Sequence, residues 1–334
     1  MSSRKIIMNI RTSATALAGI FLTIGFSAPA PVYAQGAFPT KPIRMVMPFA
    51  PGGSADNLGR SIQVAFSEAL GQQVVIDNRP GASSVIGTDM TAKALPDGYT
   101  IVMVTTTHSV NPSLIAKLPY DPIKDLAGIS VVVTQPNILA VHPSVPVKSV
   151  KELVALAKAK PNTMNFASGG NGSSPHLSGE LLKLLTGVQI SHIPYKGSGP
   201  GVTDLLGGHV QMMFAGPLAF EQYIKAGRLR ALAVADRKRS SVLPDVPTMA
   251  EAGFPGVETG TWYALLAPAK TPRPIIDRLY QAVIKTVQTP DVKARLVGQG
   301  VDVVASKPAE TDTYIAEELA KWSKLVKAAN IKAD

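Results

Sequence analysis

The chain of 334 residues has no cysteine, a formal net charge of +10, and only 6% aromatic residues. Without cysteine there are no disulfides, no thiol catalysis and no cysteine-held metal cluster, so stability must come from a buried core. The basic residues are scattered, with one run at Arg237-Lys238-Arg239, and that pattern excludes a nucleic-acid face while suiting acidic ligands.

In chain order, Arg4, Lys5 and Arg11 lead into a small, apolar stretch over residues 13–29. Val32-Tyr33-Ala34 then fits a cleavage site, so the pattern predicts an exported protein whose signal peptide is removed after Ala34. Setting those three charges aside leaves about +7 on the mature chain. No later apolar run reaches the roughly 20 residues of a membrane span.

Residues 42–49 form a short apolar run that predicts a buried strand, ended by Ala50-Pro51-Gly52-Gly53. Ser54 or Asp56 can cap a helix over 57–70. Residues 74–77 and 100–105 predict two more strands, with a helix over 86–95 between them. Such alternation argues for parallel βαβ units and an α/β fold. The following segment, TTHSVNPSL, reads as a polar loop at a strand's carboxyl end, where ligands sit in open α/β sheets. Residues 125–134 read as a strand that 137–141 continues into a second domain. Ser149 opens a helix with Glu152 as its capping-box partner.

Residues 165–210 hold two strand–loop–helix units in tandem, with loops GGNGSS and KGSGPG. Each loop exposes backbone N–H groups at the positive end of a helix, which binds an anion without a charged side chain. The upstream loop PFAPGGSAD has the same make. Strands follow at 211–215, 229–235 and 260–267, then helices at 272–288, 290–299 and 308–328. The pattern predicts two α/β lobes joined by two crossing strands. Lobe 1 is discontinuous, over 35–136 and 256–334, and lobe 2 spans 137–255.

GGNGSSPH lacks the Gly-Lys-Ser/Thr of a phosphate loop and the third glycine of a dinucleotide fingerprint. No nucleophile elbow is present, so Ser173 with His176 is a weak hydrolase constellation and reads better as a helix cap. The five histidines show no metal-ligand spacing, and no metal or cofactor is expected. His108 and His176 sit in candidate cleft loops and either stands within reach of a ligand carboxylate. Asp56 and Asp204 read as helix-start carboxylates. Lys196 either faces an anion or points outward, and Trp262 leans to the core.

PFAPGGSAD, VVIDNRPGA, DGYT, ASGGNGSSPHLSGELL, IPYKGSGPGVTDLLGGHV, GRLRALAVA, LPDVPTMAEAG and WYALLAPAKTP occur in this order. Together they resemble the substrate-binding receptors of tripartite tricarboxylate transporters, the Bug-type family. The resemblance covers essentially the whole mature chain. It implies a periplasmic solute receptor of the two-lobed, type II-like binding-protein fold, closing on a small carboxylate with bridging waters. Carried onto this chain, the ligand meets Phe49, Ala50, Gly52, Gly53, Ser54 and Asp56 of the first loop, and Thr106 and Thr107 nearby. From the facing lobe come Ser168, Gly169, Asn171, Gly172 and Ser173, then Tyr195, Lys196 and Gly197. No arginine sits in a cleft loop except Arg60, a turn into its helix. The ligand is therefore a dicarboxylate or an aromatic or amide-bearing monocarboxylate. The expected protein is a monomeric receptor serving membrane transporter subunits. An exported serine hydrolase and a sensor partnering a histidine kinase are the alternatives.

Overall fold

The computed structural model describes residues 38–328, so the expected signal peptide and its cleavage site lie outside the described residues. Ten strands and ten helices follow one another along these residues, in two sheets that share one long strand, alternating except where two strands (Arg230–Ala235 and Gly260–Pro268) and two helices (Arg273–Gln288 and Pro290–Gly298) are consecutive.

The first sheet has the order β2 (Val74–Asn78), β1 (Ile43–Met47), β3 (Thr100–Thr105), β9 (Gly260–Pro268), β4 (Leu126–Val141) and the short β10 (Asp302–Val303). The first three strands are parallel, and β9, β4 and β10 join antiparallel. Beyond Pro136, β4 changes partners. Asn137–Val141 lies between β7 (Met212–Ala215) and β8 (Arg230–Ala235), with β5 (Asn165–Ser168) and β6 (Ser191–Pro194) parallel beyond β7. The two sheets build two lobes, and β4 runs through both while β9 returns the chain to the first.

The helices follow from apolar spacing. In α1 (Ser54–Leu70), Leu58, Ile62 and Phe66 recur every four residues on one buried stripe. The helix stops at Gly71, whose φ of 76° lets the chain reverse. That stripe packs with Leu279 and Val283 of α8 (Arg273–Gln288) over the first sheet. Burying a side chain such as Phe66 stabilises the fold by roughly 1.5–3 kcal/mol. The opposite face of this sheet packs Val46, Val102 and Val104 with Trp262 and Ile315, the last from α10 (Pro308–Ala328). In α4 (Val150–Ala159) the Ser149 hydroxyl accepts the Glu152 N–H, and Glu152 in turn accepts the Lys148 N–H, one residue earlier than a strict capping box.

Two segments differ from expectation. TTHSVNPSL is a helix, α3 (Thr106–Leu114), although it holds Pro112. Residues 106–111 are fully buried, and Val110 packs with Leu177 of α5 (Ser174–Thr186) and Trp322 and Val326 of α10. Tertiary packing thus overrides weak local propensity. A helix absent from the sequence reading, α7 (Pro217–Lys225), starts at Pro217 directly after β7.

Candidate functional site

Five helices begin on one small cavity of about 40 Å³ between the lobes. The first lobe contributes Gly53 before α1 with Ser54 and Ala55 of that helix, and Thr105 before α3 with Thr107 of it. The second contributes Ser173, Ser174 and Pro175 of α5, Ser198 of α6 (Ser198–Leu206) and Gly216 before α7. Phe49, Gly169, Thr261 and Tyr263 complete the wall. No charged side chain lines it. Each helix presents orphan N–H groups and the positive end of its dipole, so the cavity has an anion's complement built from neutral groups.

The cleft is closed. The Ala50 N–H donates to the Lys196 carbonyl across it at 2.7 Å, and Asn57 Nδ2 donates to the Leu218 carbonyl at 2.8 Å. A Cβ on Gly53 would stand 2.9 Å from the Gly199 nitrogen, and one on Gly199 would stand 2.2 Å from the Pro51 carbonyl oxygen. Only glycine lets these two loops meet.

Several expected ligand groups hold the loops rather than line the cavity. Asp56 is buried and accepts from the Gly52 N–H at 3.0 Å, Asn78 Nδ2 at 3.0 Å and the Arg60 guanidinium at 2.9 Å. Burial alone would raise its pKa, but these donors, Arg60 foremost, hold it below the usual carboxylate range. Its carboxylate therefore shapes the first loop, and Arg60 is spent on it. His108 is also buried away from the lining. Its Nε2 donates to the Pro122 carbonyl at 3.2 Å and its ring stacks on Tyr120, while burial pushes its pKa down to about 4. It stays neutral and anchors α3.

In the GGNGSS loop, Ser168 Oγ meets His192 Nε2 at 2.6 Å and accepts the Gly170 N–H at 3.1 Å. His176 Nδ1 accepts the Gly172 N–H at 3.1 Å, and its ring stacks 4.1 Å from His192. Ser173 caps α5 by accepting the backbone N–H of His176. Ser168, Gly172 and His176 thus build the loop, Asn171 lies outside the cavity lining, and Gly169 and Ser173 reach the cavity. Lys196 is exposed and contributes its carbonyl. Tyr195 donates to Asp204 Oδ2 at 2.5 Å, and burial and that carboxylate push the phenol up to about 12. Of the first loop, Phe49, Gly53 and Ser54 reach the cavity, whereas Ala50 and Gly52 serve the loop. From α3, Thr107 lines it and Thr106 lies near Gly260.

Sequence reasoning missed Thr105, Pro175, Ser198, Gly216, Thr261 and Tyr263. The dipeptide Gly216-Pro217 was a usable signal, since proline favours the first position of a helix. Tyr263 is buried, which raises its pKa; its hydroxyl bonds Gln135, whose Oε1 accepts the Leu218 N–H at 3.4 Å. Asn137 of β4 likewise donates to Ser174 Oγ at 2.7 Å and Ser178 Oγ at 2.9 Å. Side chains of the crossing strand therefore set the position of α5 and α7. Among the described residues no group of three or more His, Asp or Glu stands ready to hold a metal ion.

A model of the tripartite tricarboxylate transporter family receptor matches residues 58–331. Protein BugT of Bordetella pertussis is 39% identical over 96% of this chain and 98% of its own length. R. palustris Rpa4515, solved with adipate, is 36% identical, with a TM-score of 0.85 over 88% of this chain and 99% of that one. MatC from Rhodopseudomonas palustris, with bound malate, is 32% identical, with a TM-score of 0.83 over 86% of this chain and 100% of that one.

Proposed function

We propose that this chain, which belongs to the tripartite tricarboxylate transporter receptor family, captures a small aliphatic dicarboxylate between its lobes. The observation that carries this reading is the convergence of five helix N-termini on a cavity with no charged lining. A carboxylate there gains charge-assisted hydrogen bonds worth roughly 1.5–3 kcal/mol each. A few of these, less desolvation, give about −8 kcal/mol, a micromolar complex.

Two carboxylates suit the arrangement because N-termini face each other across the cleft. Those of α1 and α3 serve one end, those of α5, α6 and α7 the other, with bridging waters where the reach is long. The relatives that hold adipate and malate support this class over a monocarboxylate. The lobes divide where β4 changes partners, near Pro136, and on the return path near residue 255. The receptor is exported, works in the periplasm as a monomer and performs no chemistry. It delivers its ligand, in the closed form, to membrane subunits of a tripartite transporter.

A thermal-shift panel on the mature chain, Gln35 to Asp334, tests this reading with small mono- and dicarboxylates and their neutral amides. Saturation at about 100 times the dissociation constant adds roughly 2.7 kcal/mol, a shift of several degrees. A dicarboxylate that shifts the transition while its diamide does not supports the reading. Equal shifts for acid and amide, or none for any acid, reject it.

A further inference from the structure

Adipate and malate, held by two relatives, differ by two backbone carbons, so kinship leaves the length of the diacid open. On the reading that a dicarboxylate binds between the lobes, that length depends on what fixes the cavity. Two of the loops that border it are in backbone contact. The Ala50 N–H reaches the Lys196 carbonyl at 2.7 Å, and a Cβ built on Gly199 would stand 2.2 Å from the Pro51 carbonyl oxygen and 3.0 Å from the Gly53 nitrogen. Neither loop can approach further, and neither can lift without breaking that hydrogen bond.

The rest of the wall is held from behind. Ser174 Oγ donates to the Gly260 carbonyl at 2.6 Å and accepts Asn137 Nδ2 at 2.7 Å. Ser173 Oγ accepts the His176 N–H, and the buried Tyr263 bonds Gln135. Side chains packed and tied in this way do not swing aside for a longer ligand. The space they leave is about 40 Å³. A water needs roughly 10–15 Å³ of such a cavity and has a share of about 30 Å³ in the liquid, so room for three or four waters takes a molecule of about 100 Å³. That is a diacid of three or four carbons.

We infer that Gly199 sets the length of the diacid, admitting malonate and succinate and rejecting adipate. The residue is buried at the second position of α6 and does not itself line the cavity. Its φ is not positive, so alanine fits its backbone conformation. Glycine is also a weaker helix former than alanine, so nothing in α6 calls for it. What excludes a methyl group there is the first loop in the closed cleft. Each methylene beyond the fit parts the loops and lowers affinity roughly tenfold. The limit is thus backbone against backbone, and Gly199 acts on the ligand only through the distance it allows between the loops.

The mature chain is titrated calorimetrically with malonate, succinate, glutarate and adipate, and the same series is run on Gly199→Ala. In the parent the tightest ligand is malonate or succinate, and adipate binds at least about a hundredfold more weakly than succinate. Gly199→Ala holds the loops apart. It unfolds as cooperatively as the parent, weakens succinate more than about tenfold, and brings succinate and adipate within about tenfold of each other. A merely structural role for Gly199 would weaken all four acids alike. Glutarate or adipate as tight as succinate in the parent, or an unchanged ratio in the variant, overturns the inference and leaves the receptor reading standing. Binding of none of the four by the parent overturns both.

Discussion

Two cavities of the molecule have opposite chemistry: the front one, of about 40 Å³ between the lobes, and a back one of about 240 Å³ bordered by Asp236, Asp302, Trp262 and Trp322. In front, backbone N–H groups and hydroxyls form a wall without one charged side chain; behind, carboxylates, paired cations and two indoles form the wall. The back cavity is the larger, and side-chain chemistry alone would nominate it as the ligand site. In the function proposed above the front takes the anion, because its positive potential resides in helix ends, which a census of charged residues does not register. Backbone dipoles fixed by the fold need no reorganisation when a ligand arrives, whereas the rear charges are largely satisfied by one another.

This contrast breaks most readily at Gly53. A side chain there meets the Gly199 nitrogen, so Gly53→Val prevents the lobes from meeting and lowers carboxylate affinity about a thousandfold, or 4 kcal/mol. Its unfolding should stay cooperative, because the clash exists only in the closed form. Calorimetric titration beside a thermal melt checks both halves, and retained affinity removes the first loop from the site.

The second test concerns how the front is anchored. His108 is neutral when folded, with its pKa pushed down to about 4 by burial from an ordinary 6.5, against a weaker opposing effect of the Pro122 carbonyl. The unfolded chain takes up this proton first as pH falls. Stability from His108 is thus intact above pH 6.5 and is lost as pH drops toward 4, about 3 kcal/mol in all. Urea denaturation at pH 7 and pH 4.5 should show that loss in the parent protein and a smaller one in His108→Gln.

Gln135 marks the partition itself, since it lines the back cavity while bonding Tyr263 and the start of α7 in front. Gln135→Leu leaves the Tyr263 hydroxyl and the Leu218 N–H short of a partner and costs about 2 kcal/mol. A melt that is unchanged would show that this contact does not set the partition.

Much of the architecture was legible from period and punctuation. The apolar runs at 42–49 and 100–105 and the spacing of Leu58, Ile62 and Phe66 depend only on local pattern, and they appear as β1 (Ile43–Met47), β3 and α1. α3 was hidden because its residues are poor helix formers and its proline reads as a break, and burial decides it. In the site, the glycine-rich loops announced themselves, but which atoms face the ligand did not. Asp56, His108 and His176 sit in loop sequences that suggest contact, and their side chains turn inward to satisfy N–H and carbonyl groups of the loops. Thr261 and Tyr263 lie in an ordinary strand pattern and reach the cavity because β9 crosses between lobes.

The central claim is that neutral helix ends recognise a carboxylate charge. It is tested most directly by calorimetric titration of the mature chain with adipate, with malate and with the dimethyl ester of each. The account predicts micromolar binding of at least one diacid and at least a hundredfold weaker binding of its ester, about 2.7 kcal/mol. Equal binding of acid and ester would contradict it.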